Sequence, residues 1–368
     1  MLSLLNARRR ARQNRHNRRQ SANFFSSVTK RPNYIPYLDG WRGIAILLVL
    51  LHHFAGFEAG NLGVQVFFVL SGKLMSQVLF VDRTPLGVFY RRRVARVFPL
   101  FYLYLAVVAA GFIVFMPGQP LDELVYTTTF LRTYLPGQQI WDLALPTGHV
   151  WSLNVEEHSY VVLSAIALLV ARRGVGVAKV ATLLLTVGCV AAYDFYSKHP
   201  PSPLASPAML RTECAAFALM LSASLHLWIR RPSVLQFWCA LTAVAALFVA
   251  HLLGTRVDNP IKLLLLPAAL AVLINVLSAA PRAFLDVLSA PWLRWFGVIS
   301  FSLYMWNTLF LWLSMRDVMS QAQGAVLSIA VGALSYYYFE APMRSLIRNG
   351  FVARRPATVF KDSVVVGQ

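Results

Sequence analysis

The residues best suited to chemistry lie in the first apolar segment, LDGWRGIAILLVLLHHF. Arg42 and His53 are eleven positions apart there. This interval is about three helical turns, so both side chains project from one face, together with Asp39. Ionisable side chains inside a membrane span generally face the protein interior or a wet cavity, where they mark a pathway or a reaction site. The segment therefore predicts a functional face on the first membrane helix.

A second polar group interrupts the apolar segment HVWSLNVEEHSY. Its adjacent glutamates, Glu156 and Glu157, cost several kcal/mol in a hydrophobic helix when ionised and unpaired, so we expect them to be paired or protonated. Ser152, Glu156 and Tyr160 share one stripe of the helix, and Glu157 projects about 100° away. If this span runs opposite to the first, the glutamates lie at the depth of His53.

A third group is the arginine run in RRRVARVFPLF. Arg93 and Arg96 are three residues apart and share a helix face, with Arg91 and Arg92 beside them. Guanidinium groups pair with phosphates in bidentate fashion, so the cluster predicts a clamp for a phosphorylated cytosolic ligand. Contact with lipid phosphate is the alternative for any single arginine of the run.

The elements that must position these residues are membrane helices. Of the 368 residues, 57% are hydrophobic and only 13% are charged, and the mean hydropathy is +0.57. These values predict an all-α polytopic membrane protein, with about ten transmembrane helices around a through-membrane cavity. The predicted spans are roughly 38–54, 62–80, 98–116, 150–171, 176–193, 206–229, 234–253, 260–279, 297–314 and 322–342.

The arginines and lysines predict the orientation. With the N-terminus inside, the inside segments hold 26 of the 34 basic residues and the outside loops hold six. The positive-inside rule therefore predicts that both termini are cytosolic. We expect a disordered basic tail at 1–36, a membrane domain at 37–345, a cytosolic C-terminal tail at 346–368, and a loop at about 117–149 that folds over a cavity mouth.

The net charge of +19 does not indicate a nucleic-acid partner, because no aromatic-interleaved basic face or nucleic-acid fold signature accompanies it. Contact with anionic membrane lipid explains the charge better. The three cysteines have no metal-site or disulfide spacing, so we predict no metal and no tightly bound cofactor. The oligomeric state is left open.

Together these segments resemble the acyltransferase 3 family of bacterial integral-membrane enzymes. The resemblance lies in LDGWRGIAILLVLLHHF, GVQVFFVLSGKLM, RRRVARVFPLF, HVWSLNVEEHSY, ISFSLYMWN and YFEAPMR, in the family's order across residues 37–344. It implies a multi-pass protein of the bacterial cytoplasmic (inner) membrane. Two residues depart from the pattern: Lys73 stands where an apolar aromatic is more frequent, and Asn307 where a histidine is common.

The resemblance implies transfer of an acyl group, commonly acetyl, from cytosolic acyl-CoA to a hydroxyl of an extracytoplasmic glycan such as exopolysaccharide or lipopolysaccharide. Acetyl-CoA is then the donor co-substrate. By the same resemblance, particular positions correspond to the family's paired arginine and histidine, its arginine pair and its glutamates: Arg42 and His53, Arg93 and Arg96, and Glu156 and Glu157. We add Arg92 to the predicted phosphate-binding group.

A neutral alcohol is a poor nucleophile, so attack on a thioester needs a base near the hydroxyl. We predict His53 as this base, oriented or charge-balanced by Glu156 or Glu157, with an acyl-histidine intermediate as the alternative. Arg42 lies about 16 Å from His53 along an ideal helix. This separation fits arginines that hold the nucleotide phosphates while the pantetheine arm reaches outward to the histidine.

Several roles stay open at this level. His149 and His158 are alternative bases, whereas His52 is expected to make an interhelical hydrogen bond. Unranked candidates for substrate contact or for donation to the oxyanion are Arg42, Tyr160, Asn307, Trp151 and backbone amides. A transporter or flippase for a lipid-linked sugar, a membrane cytochrome and a membrane acyltransferase of another family are alternative functions.

Overall fold

The computed structural model of the protein describes residues 34–57, 60–116, 122–134, 145–199, 210–253 and 264–350. All regular secondary structure within these ranges is helical. The helices, in chain order, are α1 Pro36–Ala55, α2 Gly60–Ser76, α3 Leu86–Phe115, α4 Asp122–Thr128, α5 Trp151–Arg173, α6 Val175–Lys198, α7 Thr212–Ala215, α8 Phe217–Trp228, α9 Val234–Leu252, α10 Leu266–Val276, α11 Arg282–Leu288, α12 Pro291–Met315, α13 Gln321–Ser335 and α14 Ala341–Gly350.

Seven helices of the described ranges are long and apolar enough to cross a membrane. They are α1, α2 with the π turn Gln77–Val81, α3, α5 with the 3-10 turn Gly148–Val150, α6, α9 and α12. The segment Leu266–Ala279 bends by 114° into α11, and this pair gives an eighth candidate span. By length and composition the ten predicted spans thus reduce to seven or eight in the described part of the chain.

The sixth and tenth predicted spans account for the difference. The sixth is divided into α7 and α8 at Ala216, and residues 200–209 before it lie outside the described ranges. The tenth corresponds to α13 and the π turn Tyr336–Glu340 that follows it, and this segment is not among the seven. The predicted orientation of the termini stays a prediction. Residues 1–33 and 351–368, which hold most of the two predicted tails, lie outside the described ranges, and so do residues 117–121 and 135–144 of the loop predicted at 117–149.

Helix α1 has clear sequence signals at both ends. Pro36 occupies its first turn, where a missing N–H costs no helical hydrogen bond. Gly56 ends the helix in the left-handed conformation, with a φ of 67°, and its N–H bonds to the carbonyl of Leu51. The helix therefore ends directly after the histidine pair, and His53 lies in its last turn.

Glycines bring α1 into close contact with α12. A Cβ atom on Gly43 would overlap the carbonyl oxygen of Leu293, and one on Gly297 would overlap the carbonyl oxygen of Asp39. Only glycine permits this backbone approach, which also occurs at Gly63 of α2 against the Ala45 carbonyl on another side of α1. Helices α2 and α12 thereby flank the helix that carries Arg42 and His53.

Candidate active site

A cavity lies among α1, α2, α3, α5 and α12. Its apolar lining includes Phe67, Leu74 and Val97. Polar groups from all five helices also face it, and they are Arg42, Ser71, Arg93, Arg96, Ser152, Glu156, Tyr160, Ser300 and Tyr304. The cavity therefore gathers five of the ten predicted site residues, which are Arg42, Arg93, Arg96, Glu156 and Tyr160.

The two glutamates share one guanidinium group. Arg93 Nη2 is 2.6 Å from Glu156 Oε2, and Arg93 Nε is 2.9 Å from Glu157 Oε1. Glu156 also accepts hydrogen bonds from the hydroxyls of Ser71, at 2.8 Å, and Tyr160, at 2.9 Å. The three charged side chains are only 11–15% exposed, so this pairing meets the need for partners predicted for buried carboxylates.

Arg93 is held from a third direction. Its Cζ atom lies 4.0 Å from the centroid of the Tyr160 ring, in a cation–π contact. With two carboxylates and an aromatic face already bound, Arg93 has little capacity left for a phosphate. The sequence analysis groups Arg93 and Arg96 as one clamp, but their surroundings differ.

Arg96 is the less neutralised of the two. Within the described residues it makes no hydrogen bond or ion pair, and the charges that act on it most are those of Arg42, Arg344 and Arg93, followed by that of Glu340. Arg42 has a weak partner, because its Nη1 lies 3.5 Å from Asp39 Oδ1. This end of the cavity is therefore positively charged and open to an anion.

Two residues that the sequence analysis assigns no role support this end. Glu340 pairs with Arg344 and accepts a hydrogen bond of 2.6 Å from the Ser302 hydroxyl. Glu340 and Arg344 both belong to the motif YFEAPMR. This motif is the sequence signal that could have identified them as site residues. Arg92, by contrast, is exposed and does not line the cavity, because it projects about 100° away from Arg93 on α3.

His53 lies beyond the other end of the cavity. His53 is not among the described residues that line the cavity. Its Nδ1 atom is 2.5 Å from Oδ1 of Asn307 on α12. Tyr304, one turn earlier on α12, does line the cavity. Its hydroxyl donates to the backbone carbonyl of His149, at 2.6 Å, and accepts from the Ser152 hydroxyl, at 2.7 Å. Tyr304 and Asn307 therefore connect the cavity wall to the imidazole.

The partner of His53 differs from the expected one. The sequence analysis places Glu156 or Glu157 beside the imidazole, but both carboxylates are bound to Arg93, and the amide oxygen of Asn307 takes their place. Equal depth in the membrane does not ensure contact, because side chains on two helices meet only when their faces are turned toward each other.

The other histidines have distinct surroundings. His52 Nδ1 is 3.0 Å from the Phe57 carbonyl, just after α1, and His158 Nδ1 is 2.7 Å from the Thr212 hydroxyl. His149 is buried, and neither of its ring nitrogens has a hydrogen-bond partner among the residues that the structure describes. The rings of Tyr104 and Tyr304 pack edge-on against it. His149 is thus the alternative base that is not bound to another group.

Trp151 lies away from the main cavity. Its ring packs edge-on against Phe68, with centroids 5.8 Å apart, and it lines a smaller cavity with Gln65 and Tyr193. Lys73, which with Asn307 departs from the family pattern, donates to the Ile274 carbonyl at 2.7 Å. In the described ranges, neither residue makes a hydrogen bond or ion pair to Arg93, Glu156 or Glu157.

Known proteins similar to the chain are O-acetyltransferases and a transacylase. The peptidoglycan O-acetyltransferase OatA of Listeria monocytogenes is 24% identical over 355 residues, which cover 87% of this chain and 57% of that protein. The O-acetyltransferase OatA of Staphylococcus aureus is 28% identical over 145 residues, or 35% of this chain and 24% of its own length. A Komagataeibacter xylinus protein with the provisional name membrane-bound transacylase BcsY is 27% identical over 332 residues, covering 82% and 81%.

The chain thus spans little more than half the length of the Listeria relative. No solved structure matches it at a significant level. The sequence model of a family described as the acyltransferase domain matches residues 35–338, nearly the whole described membrane region. This match confirms the family predicted from the order of the motifs, and the chain belongs to the acyltransferase 3 family.

Proposed function

We propose that the protein is a membrane O-acyltransferase that moves an acyl group, acetyl in the first instance, from cytosolic acyl-CoA to a hydroxyl of an extracytoplasmic glycan. The observation that carries the proposal is the cavity itself. At one end it presents Arg42 and Arg96 with incomplete neutralisation, and near the other end lies a hydrogen-bonded imidazole, His53. The two ends suit the two parts of the reaction, which are donor binding and transfer.

Donor binding belongs to the arginine end. The nucleotide part of acyl-CoA carries phosphates, for which guanidinium groups are preferred partners. Arg96 and Arg42 are the residues we assign to these phosphates, because Arg93 is already bound to Glu156 and Glu157. In this assignment Arg93 holds the cavity wall together through its ion pairs with Glu156 and Glu157. Because Arg93 and Arg96 share α3, these ion pairs also hold Arg96 in position to orient the donor.

The acyl arm then extends along the cavity. Arg42 and His53 are separated by about 16 Å of helix, a distance suited to a thin arm that enters from the arginine end. Apolar side chains such as Phe67 and Leu74, and hydroxyls such as Ser71 and Ser152, line this path. The thioester would thereby reach the region of Tyr304 without passage of the nucleotide across the membrane.

Transfer needs a base at this end. The acceptor hydroxyl gives its proton to His53 as its oxygen bonds to the acyl carbon. The carbon–sulfur bond then breaks, and the imidazolium returns the proton to the leaving thiolate. The nearest candidates to stabilise the oxyanion are the hydroxyls of Ser152 and Tyr304. The Ser152 and Tyr304 hydroxyls would exchange their present partners, Tyr304 and the His149 carbonyl, for the oxyanion, whereas the Tyr160 hydroxyl is bound to a charged carboxylate, that of Glu156.

The acceptor class rests on the relatives. Two of them are named for O-acetyl transfer, and the Listeria protein is named for peptidoglycan. We propose a glycan acceptor for this chain on that basis, and the geometry of the cavity does not distinguish one glycan from another. Acceptor identity requires mass spectrometry of surface glycans from cells with the wild-type protein, the His53→Ala variant and no protein.

Proteoliposomes test the direction of transfer. Vesicles that contain radiolabelled acetyl-CoA inside and a glycan acceptor outside should yield labelled glycan with the wild-type protein and not with His53→Ala. Arg231→Gln serves as a control because Arg231 is exposed and does not line the cavity. Sugar flux across the membrane without consumption of acetyl-CoA would contradict the proposal and indicate the transporter alternative.

A further inference from the structure

The amide of Asn307 has only one orientation that satisfies its surroundings. The side chain is completely buried, and its Nδ2 atom lies 3.0 Å from the Leu303 carbonyl and 2.6 Å from the Tyr304 carbonyl. Carbonyl oxygens only accept hydrogen bonds, so the amide nitrogen must face them. The amide oxygen of Asn307 therefore faces the His53 ring.

This orientation determines which ring nitrogen of His53 carries a proton. Asn307 Oδ1 is 2.5 Å from His53 Nδ1, and an amide oxygen can only accept. His53 Nδ1 must therefore be the donor of this hydrogen bond. In a neutral imidazole with a proton on Nδ1, the other nitrogen, Nε2, keeps a lone pair that can accept a proton.

We propose that Asn307 is a positioning residue that holds His53 in the Nδ1–H tautomer and leaves Nε2 as the proton acceptor for the hydroxyl. The proposal rests on the proposed function, in which His53 is the base. The acceptor's O–H proton passes to Nε2 while its oxygen bonds to the acyl carbon. As the carbon–sulfur bond breaks, the same proton passes from Nε2 to the thiolate, and Nδ1–H stays bound to Asn307 throughout.

An amide suits this place because the carboxylates expected beside His53 are bound elsewhere. Arg93 binds Glu156 and Glu157, so neither is free to orient the imidazole. Asn307 supplies the orienting acceptor without adding a charge. The close approach of α1 and α12 at Gly43 and Gly297 sets the register that brings the two side chains into contact.

Nitrogen NMR of the whole protein in lipid nanodiscs tests the tautomer directly. The protein is labelled with 15N-histidine, and the His53 signals are identified by their loss in His53→Gln. We expect a protonated Nδ1 and an unprotonated Nε2 near neutral pH. Asn307→Leu should remove this preference, and Asn307→Asp should keep the proton on Nδ1 because it retains an acceptor oxygen. A wild-type ring protonated only on Nε2 would overturn the proposal.

Kinetics supply the second test. Asn307→Leu should lower kcat about 10- to 100-fold with the KM for acetyl-CoA unchanged, because a mispositioned base slows proton transfer and not donor binding. Asn307→Asp should retain more activity than Asn307→Leu. The control is Asn275→Leu, since Asn275 is also a buried helical asparagine, and its amide bonds to Ser222 and to the Ala271 carbonyl.

The outcomes separate the two proposals. Equal losses in Asn307→Leu and Asn275→Leu, with an unchanged His53 tautomer, would overturn the positioning role. An Nδ1–H ring in a protein that consumes no acetyl-CoA would support the assigned hydrogen bond and overturn the proposed function instead.

Discussion

The two ends of the cavity differ in how their polar groups are balanced. At the arginine end, Arg42 has one partner at 3.5 Å and Arg96 has no ion pair among the described residues. At the other end, His53 meets a neutral amide, that of Asn307, and no carboxylate from the described part of the chain. Between them, Arg93 and the two glutamates bind one another closely.

This difference assigns donor binding to the arginine end of the cavity and proton transfer to the end near His53. Unbalanced positive charge attracts an anionic donor from a distance, but it gives no means of moving a proton. A neutral imidazole with one nitrogen bound can accept a proton, but it does not attract an anion. The paired group between the ends is the part whose charges are already satisfied, and we regard it as the structural support of both.

The largest effect is expected from the imidazole. His53→Gln should lower kcat by ~10²- to 10⁴-fold, because it removes the proposed base, and binding of acetyl-CoA should persist. Acyl transfer and donor binding are measured on the same preparation. His226→Gln is the matched control, since His226 bonds to Gln77. Activity of His53→Gln within threefold of wild type would show that His53 is not the base.

Loss of an arginine should act on binding. Arg96→Gln should raise the KM for acetyl-CoA about 10- to 100-fold and leave kcat nearly unchanged, because a charged hydrogen bond contributes about 1.5–3 kcal/mol. Steady-state kinetics at low and high salt test this. Salt screens the attraction between Arg96 and the phosphates, so it should raise the KM of the wild-type protein and narrow its difference from Arg96→Gln. A fall in kcat with an unchanged KM would show that Arg96 acts at the reaction end.

The paired group should respond in stability. Glu156→Gln removes a charged acceptor that serves three donors, so we expect a loss of about 1–3 kcal/mol in unfolding free energy. Glu157→Gln should cost less, because Glu157 makes one described hydrogen bond, to Arg93. Thermal unfolding in detergent compares the two variants. A stable Glu156→Gln protein that has lost all transfer would instead indicate a direct chemical role for this glutamate.

The smallest effect is expected at Arg92. This side chain is exposed and does not line the cavity, so Arg92→Gln should change the KM for acetyl-CoA by less than about twofold, as surface substitutions usually do. Kinetics of Arg92→Gln and Arg96→Gln under identical conditions give the comparison. Equal effects would show that the whole arginine run, and not one face of it, binds the donor.

Much of the fold follows from local patterns. The apolar runs predict most of the helices, and Pro36 and Gly56 mark the ends of α1 as helix signals should. The motifs and their order predict the family that the comparison confirms. The ten predicted spans are not all found among the seven or eight candidate spans of the described residues, and hydropathy does not show the break at Ala216 that divides the sixth.

The sequence indicates which polar residues share a helix face but not how they pair. Helical spacing indicates that Ser152, Glu156 and Tyr160 share one face, and all three line the cavity. Spacing does not indicate that Arg93 reaches both glutamates, or that Asn307 takes the place beside His53 that they were expected to fill. Those contacts depend on rotamers and on the rotation of one helix against another.

The sequence by itself determined the membrane character, the faces of single helices and the family, because each depends on residues close together in the chain or on motifs in order. Only the tertiary structure decided which charges are neutralised and which are left for a ligand. The physical reason is that hydrogen bonds and ion pairs need atoms within about 3–4 Å. Between α1, α3, α5 and α12, those distances are determined by helix packing, including the approach that Gly43 and Gly297 allow.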